Sequence, residues 1–408
     1  MQNGARQMGL VWVESALSAV YIVVIARVLG AEAYGYWSYA LAGYLLVLGL
    51  TGFGLDSLMA IRLGAARQDA ARYLGAALLL RLAVTGLGVV VLAAYATIAE
   101  EDALARFALV LLVPALVGRA LSVWARACFL AYERVADYLA VAVALRVADV
   151  LFGTLCLLSG GGLMAILSIH AAVWAIEGAV CLGLVHRKLA RCAPIWDRRE
   201  IAGLLGQGST LGLAAGFGTW LVSGPVILIR HSGIDMAGLG QFSAAWAATM
   251  IAVASAQAFL AAALPVLSRS AAGSGRVPAR YGPAVMAGSL AAGLIAGAVG
   301  WLAGPWLATA LLGDGFRRAG ELVGPLLVAG ALMIGPTGYG QALMIAGRRR
   351  AVVVANLAGG AVLAIATVPA VRLAGIEGAV GAVGLAWLAR AVVLAWQGSG
   401  GPAWRKGS

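Results

Sequence analysis

The chain has 408 residues, of which 62% are hydrophobic and 11% are charged, and its mean hydropathy is +0.94. Because soluble globular domains carry about 25% charged residues, this composition excludes a soluble protein and indicates an integral membrane protein. The net charge of +12 is expected to reflect membrane orientation and attraction to anionic lipid headgroups. Membrane lipids are therefore expected partners, and nucleic acid is not.

Apolar runs of about 17 to 25 residues, each able to cross about 30 Å of hydrocarbon, recur along the whole chain. They predict an all-α integral membrane protein with about twelve transmembrane helices. The connections between the runs are short, so no soluble domain of about fifty residues fits into the chain. The predicted spans are 9–29, 36–55, 74–98, 106–124, 138–158, 163–185, 201–229, 241–262, 283–303, 322–345, 351–371 and 377–396.

The first apolar run could be mistaken for a signal peptide, but it is long and contains Glu14, so we interpret it as an uncleaved first span. Lys and Arg residues are retained on the cytoplasmic side of short loops. If the N-terminus lies inside, nineteen basic residues fall on the cytoplasmic side and six on the outer side. This asymmetry predicts that both termini face the cytoplasm.

A short pattern that occurs twice divides the predicted spans into two sets. RVLGAEAYGYWS at 27–38 and RHSGIDMAGLGQFS at 230–243 both place Arg three residues before Gly, and both end in Gly-x-aromatic-Ser. Each copy joins the first two spans of its set, where Gly permits a tight turn. ACFLAYER at 127–134 and ALMIAGRR at 342–349 are a second, weaker similarity. Together they predict two duplicated six-helix lobes, 1–199 and 200–408, inserted in the same orientation.

Four segments resemble one known family along the whole chain: RVLGAEAYGYWS, TGFGLD at 51–56, AYERVADY at 131–138 and AGIEGAVGA at 374–382. They are similar to Wzx-type flippases of bacterial polysaccharide synthesis, which are members of the MOP superfamily. The resemblance implies two lobes around a central cavity that opens alternately to either side of the bacterial inner membrane. It also implies a lipid-linked oligosaccharide on polyprenyl pyrophosphate as the substrate, for a surface glycan such as the O-antigen of lipopolysaccharide.

Arg146 and Asp149 are the most prominent charged pair within a predicted span. An ionisable group at mid-membrane costs several kcal/mol if it is unpaired, so each is a candidate for function. The two residues lie near the middle of the fifth span, one turn apart on one helix face, and can therefore pair. The planar guanidinium of Arg146 suits a pyrophosphate. A purely structural ion pair is the alternative.

Polar and aromatic side chains recur once per turn in two predicted spans. They are Glu14, Ser18 and Tyr21 in the first span, and His170, Trp174 and Glu177 in the sixth. Such stripes face either a cavity or a neighbouring helix. Side chains that can take up a proton or sodium could couple transport to an ion gradient, and interhelical hydrogen bonding is the alternative. The residues assigned to ion coupling are Glu14, Asp149, His170 and Glu177.

The seventh and eighth spans supply further candidates for substrate contact. The seventh is rich in Gly and carries Gln207 near its inner end, as in interrupted helices beside a cavity. The eighth places Trp246, Thr249 and Gln257 on one face, which suits ring stacking and hydrogen bonding with a sugar. Helix packing is the competing interpretation of both spans.

Three more arginines, Arg81, Arg119 and Arg390, lie nearer the inner ends of their spans. Their charged heads can snorkel to the membrane interface. Alternatively, they line the cavity and make it a cationic funnel for a pyrophosphate that enters from the cytoplasm.

The sequence contains no enzyme motif, and we expect no cofactor and no metal. His170, His186 and His231 lack metal-like spacing, and the Gly-rich turn 160–162 lacks the Lys-Ser/Thr of a phosphate-binding loop. A MATE-like drug/cation antiporter is the alternative within the superfamily. A membrane-embedded glycan polymerase is the alternative from another class, although we would expect it to have a longer outer loop than 304–321.

Overall fold

The structure is a computed structural model that describes residues 2–55, 58–59, 70–189, 192–274, 281–345 and 347–398. Within these ranges the regular secondary structure is entirely helical, which confirms the predicted all-α class. The helices are α1 (Gln2–Thr51), α2 (Ala70–Ile98), α3 (Ala103–Leu111), α4 (Val113–Ala131), α5 (Val135–Leu158), α6 (Leu163–Lys188), α7 (Arg198–Arg230), α8 (Met236–Ser274), α9 (Tyr281–Leu312), α10 (Arg317–Ile345) and α11 (Arg349–Gly398), with a 3-10 turn at Asp314–Phe316.

The described chain contains 10 helices that are long and apolar enough to cross a membrane, so the protein is a multi-pass membrane protein. Two of them, within α1 and α11, are much longer than the roughly 20 residues that one crossing requires. Each contains a break in helical geometry, at Gly30 in α1 and at Ala374 and Gly375 in α11. These breaks lie between the first and second predicted spans and between the eleventh and twelfth.

The predicted fourth span, 106–124, is too short at both ends, because α3 and α4 together run over Ala103–Ala131. The helix begins earlier because the Asp102 side chain caps it, accepting hydrogen bonds from the backbone N–H of Leu104 at 2.8 Å and of Ala105 at 3.3 Å. Leu112 separates α3 from α4, and Pro114, which has no N–H to donate, lies in the first turn of α4. The length of the apolar run predicted the part of the helix that crosses the hydrocarbon, and not the residues at which the helix begins and ends.

The two copies of the repeated pattern share one backbone feature, a glycine with a positive φ. The aligned Gly30 and Gly233 both have a positive φ, 79° and 97°, a conformation that glycine adopts without steric cost. The second similarity matches with an offset of one residue. Arg134 N–H bonds to Phe129 at 2.9 Å and Arg348 N–H bonds to Leu343 at 2.8 Å, and each bond encloses a positive-φ residue, as in a Schellman helix end.

The chain packs as two compact units. The first unit comprises Met1–Leu29 and Tyr36–Thr219, and the second comprises Gly30–Gly35 and Trp220–Ser408. In the first unit α6 packs against α4 and α5, and in the second unit α10 packs against α8, α9 and α11. The unit boundary lies within α7, whereas the predicted lobe boundary at 199 lies at its start and stays a prediction.

Close contact between α4 and α6 determines the geometry of the polar core in the first unit. Gly118 of α4 lies against the backbone of Trp174, and Gly178 of α6 lies against the backbone of Gly118. A Cβ atom on Gly118 would overlap the Trp174 carbonyl group, so only glycine allows the two helices to approach this closely. The next residue, Arg119, is thereby placed beside the Trp174 ring.

Candidate functional site

A group of polar side chains is buried among the helices of the first unit. Asp149 of α5 is fully buried, and its Oδ2 lies 2.9 Å from both Arg146 Nη1 and His170 Nδ1. The other ring nitrogen of His170, Nε2, lies 3.3 Å from the Tyr44 hydroxyl. We call Tyr44, Arg146, Asp149 and His170 the Asp149 cluster. It joins α1, α5 and α6, and it confirms the predicted pairing of Arg146 with Asp149.

Only one oxygen of the Asp149 carboxylate is used by the protein. The other, Oδ1, is buried and has no hydrogen-bond partner. A buried polar atom without a partner costs about 1–3 kcal/mol, and more when it is charged. No three His, Cys, Asp or Glu side chains within the described ranges gather as metal ligands. Oδ1 is therefore a lone unsatisfied acceptor, of the kind that a proton or one small cation satisfies.

Two arginine side chains lie over the ring of one tryptophan beside this cluster. The Trp174 ring centroid is 3.9 Å from Arg119 Cζ and 4.2 Å from Arg146 Cζ. Trp174 is buried, and its indole Nε1 has no hydrogen-bond acceptor. Among the described residues, no carboxylate pairs with Arg119. Two guanidinium groups thus lie against one ring in this part of the first unit, and of the two only Arg146 pairs with a carboxylate, that of Asp149.

A second polar group lies one turn further along α6. Glu177 is buried and accepts a hydrogen bond from Ser122 Oγ of α4, and the Ser122 hydroxyl lies 3.3 Å from the Tyr138 hydroxyl of α5. We call Ser122, Tyr138 and Glu177 the Glu177 cluster. Since it joins α4, α5 and α6, it fixes the same helices that carry Arg119, Arg146 and Trp174.

Aromatic rings from α1 pack around the Asp149 cluster. The Trp37 ring lies edge-on to His170, with centroids 5.3 Å apart, and Tyr21 lies edge-on to Trp37 at 6.0 Å. The Tyr21 hydroxyl fits against Gly153 of α5, where any Cβ atom would overlap it. These apolar faces exclude water, and a low local dielectric strengthens every charge interaction inside.

Arg81 and Arg390 do not snorkel to the interface, so that interpretation is wrong for both. Arg81 is 1% exposed and donates from Nη1 to the Thr51 carbonyl at 3.3 Å. Arg390 is 5% exposed and donates from Nε to Asn356 Oδ1 at 2.6 Å and from Nη1 to Thr337 Oγ1 at 3.3 Å. We call Thr337, Asn356 and Arg390 the Arg390 cluster. Helix packing within each unit, rather than the distance to the membrane surface, decides where these charged heads lie.

The polar stripe predicted on the eighth span lies in α8 of the second unit. Trp246 donates from Nε1 to the Val222 carbonyl at 3.0 Å, and Thr249 donates from Oγ1 to the Ala245 carbonyl at 2.9 Å. Trp246 and Thr249 are buried, and Gln257 is half-buried. The polar atoms of Trp246 and Thr249 are thus already bonded to backbone groups, and their assignment to the substrate stays a prediction.

Other residues lie outside these clusters or were missed by the sequence analysis. Gln207 is exposed on α7, and the side chain of Glu14 lies outside the described residues. Tyr44 and Ser122 were not predicted as site residues, because a single hydroxyl in an apolar span carries no signal of its own. Trp174 was recognised as part of a stripe, but its contact with Arg119 depends on helix packing that spacing along one helix cannot give.

No protein-family model matches the chain, and no curated protein matches its sequence. Solved structures do match it in fold. An inward-facing multidrug resistance MATE family transporter of the MOP superfamily superposes with a TM-score of 0.73 at 13% identity, covering 94% of this chain and 93% of that one. The lipid II flippase MurJ, in an inward closed conformation, superposes with a TM-score of 0.76 at 9% identity, covering 95% and 86%.

A third match is the MATE multidrug transporter DinF-BH in complex with R6G, with a TM-score of 0.65 at 16% identity, covering 96% of this chain and 93% of that one. Identities this low establish the fold and nothing finer. The chain therefore has the fold that MATE transporters and MurJ share, which confirms the predicted MATE-like fold. These matched structures are transporters or flippases rather than enzymes.

Proposed function

We propose that this protein is a flippase that moves an oligosaccharide on polyprenyl pyrophosphate across the bacterial inner membrane by alternating access. Its product would feed synthesis of a surface polysaccharide such as the O-antigen of lipopolysaccharide. The observation that carries the proposal is the pair of guanidinium groups, Arg119 and Arg146, that lies against the Trp174 ring in the polar core of a membrane-embedded unit. The MATE/MurJ-like fold supports a transporter, and the resemblance of the sequence motifs supports the glycan.

The physical problem that such a protein solves is the charge of the pyrophosphate. A charged group cannot cross about 30 Å of hydrocarbon unaided, because its desolvation costs many kcal/mol. Guanidinium groups replace the lost water with charge-assisted hydrogen bonds. The polyprenyl tail needs no such help, because it stays in the bilayer while the headgroup crosses.

The proposal includes twelve crossings in two six-helix lobes. The breaks at Gly30 and at Gly375 would separate two crossings within α1 and two within α11. The excess of basic residues in alternate connections places both termini in the cytoplasm. The lobes would enclose the cavity in which the substrate's headgroup crosses.

Impermeant thiol labelling of intact cells tests this orientation. Single cysteines at Asp102 and at the exposed Asp314 should react from outside, and one at the exposed Ala193 should not. The native Cys192 cannot report for the inner side, because its thiol is buried and burial raises its pKa to about 11. It would stay unreactive on either side. Labelling at Ala193 in sealed cells would contradict the orientation.

We further propose that transport is coupled to protons or sodium at Asp149. Its unsatisfied Oδ1 supports this assignment, and His170 on Oδ2 is a second group able to hold a proton. Glu177 is a further buried carboxyl group on the same helix as His170. Glu14 completes the proposed set on the strength of its sequence position in the first span.

The substrate is proposed to contact Arg119 and Arg146 first. Their guanidinium groups lie in the first unit and are not fully buried. Six further residues are proposed to contact the substrate, although they lie outside the polar core of the first unit. They are Arg81, Gln207, Trp246, Thr249, Gln257 and Arg390.

Deleting the gene tests the function. We expect a surface glycan to disappear while its complete lipid-linked repeat unit accumulates on the cytoplasmic face. Accumulation on the outer face would instead indicate a glycan polymerase. An unchanged glycan with new sensitivity to cationic drugs would indicate the drug/cation antiporter.

A further inference from the structure

The guanidinium groups of Arg119 and Arg146 both contact the ring of Trp174. Its ring centroid is 3.9 Å from Arg119 Cζ and 4.2 Å from Arg146 Cζ, so the two carbons are separated by no more than the sum of these distances, about 8 Å. Two like charges this close repel each other in a low-dielectric site. The ring opposes that repulsion, because its π face attracts both guanidinium groups.

We propose that Trp174 is a positioning residue that holds Arg119 and Arg146 as a clamp for a diphosphate group. The clamp would select a diphosphate-linked substrate over a monophosphate-linked one. This inference rests on the proposed function and deepens it, since it states which part of the substrate the first unit recognises.

Free donors on both arginines support the clamp. Arg146 uses Nη1 for Asp149, which leaves its other N–H groups to donate elsewhere. Arg119 pairs with no carboxylate among the described residues. A guanidinium can hold a phosphate through two parallel hydrogen bonds of about 2.7–2.9 Å. Two guanidinium groups within about 8 Å of each other can each take a different phosphate of one diphosphate, whereas a monophosphate is too small to use both fully.

The indole N–H of Trp174 is a third donor at the same place. It is buried in a side chain that is only 5% exposed, and it has no acceptor in the protein. A buried donor without an acceptor is costly unless a ligand supplies one. A phosphate oxygen between the two cations would satisfy it.

The surrounding contacts hold the Trp174 ring and the two guanidinium groups in position. Gly118 packs against the backbone of Trp174 and so determines where the neighbouring Arg119 lies. Asp149 holds Arg146 through the ion pair at 2.9 Å. His170 lies edge-on to Trp174, with ring centroids 6.1 Å apart. Each member of the clamp therefore has its own support, and the ring is the element that the two arginines share.

The test measures binding of inorganic pyrophosphate and inorganic phosphate to the purified full-length protein by isothermal titration calorimetry. We expect the wild type to prefer pyrophosphate. Trp174→Met, which fills space without a ring, should weaken pyrophosphate binding about tenfold or more, since cation–π contacts with both arginines are lost. Phosphate binding should change little. Trp174→Phe keeps a ring with a weaker π face, and should weaken pyrophosphate binding about threefold.

Trp306→Leu is the matched control, because Trp306 lies on α9 of the second unit and is largely exposed. It should keep the wild-type preference for pyrophosphate. An unchanged preference in Trp174→Met, or in Trp174→Phe if the Met variant is unstable, would overturn the clamp. The proposed flippase would survive that result, since the arginines would still bind the anion. A wild type that binds neither anion would contradict the clamp and the anionic substrate together.

Discussion

The Asp149 cluster and the Arg390 cluster are both built around an arginine in apolar helices, but the two guanidinium groups have different kinds of hydrogen-bond acceptor. Arg146 pairs with a fully buried carboxylate at 2.9 Å. Arg390 has only neutral acceptors, the Asn356 amide oxygen and the Thr337 hydroxyl, and lies near the Trp387 ring, with Cζ 5.2 Å from its centroid. The Asp149 cluster holds a cation with its counter-ion, and the Arg390 cluster holds a cation with neutral acceptors.

The contrast extends to the other acidic residues. The buried carboxylates of the described chain, Glu100, Asp149, Glu177 and Asp197, all belong to the first unit. The described acids of the second unit, Glu32, Asp235, Asp314, Glu321 and Glu377, are all exposed. A carboxylate can exchange a proton or a cation at cellular pH, whereas an amide cannot. Among the described residues, the buried carboxylates that can exchange a proton or a cation therefore all lie in the first unit, which is why we assign ion coupling there.

Removing the carboxylate from the Asp149 cluster should have the largest effect. Asp149→Ala leaves the buried Arg146 without its counter-ion, and breaking a buried pair costs about 3–5 kcal/mol. We expect a large loss of thermal stability in the purified protein and no restoration of the surface glycan in a deletion strain. Arg146→Met added to Asp149→Ala should recover stability, because no buried charge then lacks a partner, but should not recover transport.

Asp137 provides the matched control in the same helix. Its carboxylate pairs with Lys188 at 2.6 Å and Arg134 at 2.8 Å, and the three side chains are at least a quarter exposed. Exposed ion pairs contribute about 0–1 kcal/mol to stability, so Asp137→Ala should hardly change thermal stability or transport. If the double variant of Arg146 and Asp149 restores transport as well as stability, the pair is structural and the assigned ion coupling fails.

The Arg390 cluster should show a smaller effect with a different pattern. Arg390→Met removes the hydrogen bond from Arg390 to the Asn356 amide oxygen, at a cost of about 1–3 kcal/mol. Adding Asn356→Leu removes that polar atom and should return most of the lost stability. Unfolding of the single and double variants in a double-mutant cycle measures this coupling. Lack of any coupling between the two positions would show that the hydrogen bond between Asn356 and Arg390 does not stabilise the fold.

The sequence predicted the helices well because apolar length is a local property, and it predicted the Arg146–Asp149 pair because both residues lie on one helix. The bond from His170 to Asp149 and the stacking of Arg119 on Trp174 join different helices. The contact between Arg119 and Trp174 depends on the close approach of two helices at Gly118, which no spacing rule along one helix reveals. Snorkelling of Arg81 and Arg390 failed for the same reason. Their position along a span was known, but the neighbouring acceptors Thr51 and Asn356 were not.

The smallest effect is expected at the helix ends outside the hydrocarbon, where Asp197 and Asp235 play comparable parts in the two units. Asp197 accepts hydrogen bonds from the backbone N–H of Arg199 at 3.0 Å and Glu200 at 3.2 Å at the start of α7, and it also pairs with Arg72. Asp235 accepts from the backbone N–H of Gly238 at 2.8 Å at the start of α8.

The Glu200 N–H first, and the Arg72 guanidinium after it, hold the pKa of the Asp197 carboxyl below its ordinary value. A carboxyl group whose pKa is lowered by folding stabilises the protein while it is ionised. That stabilisation is complete above the ordinary pKa of about 4 and is lost as the pH falls through the lower folded value. Asp197→Asn should therefore flatten the decline of thermal stability below about pH 4. Asp235→Asn should lower thermal stability at neutral pH less than Asp197→Asn does, because no arginine pairs with Asp235 in the described chain. Identical acid profiles for wild type and Asp197→Asn would show that the ionised Asp197 carboxylate contributes nothing to stability in this pH range.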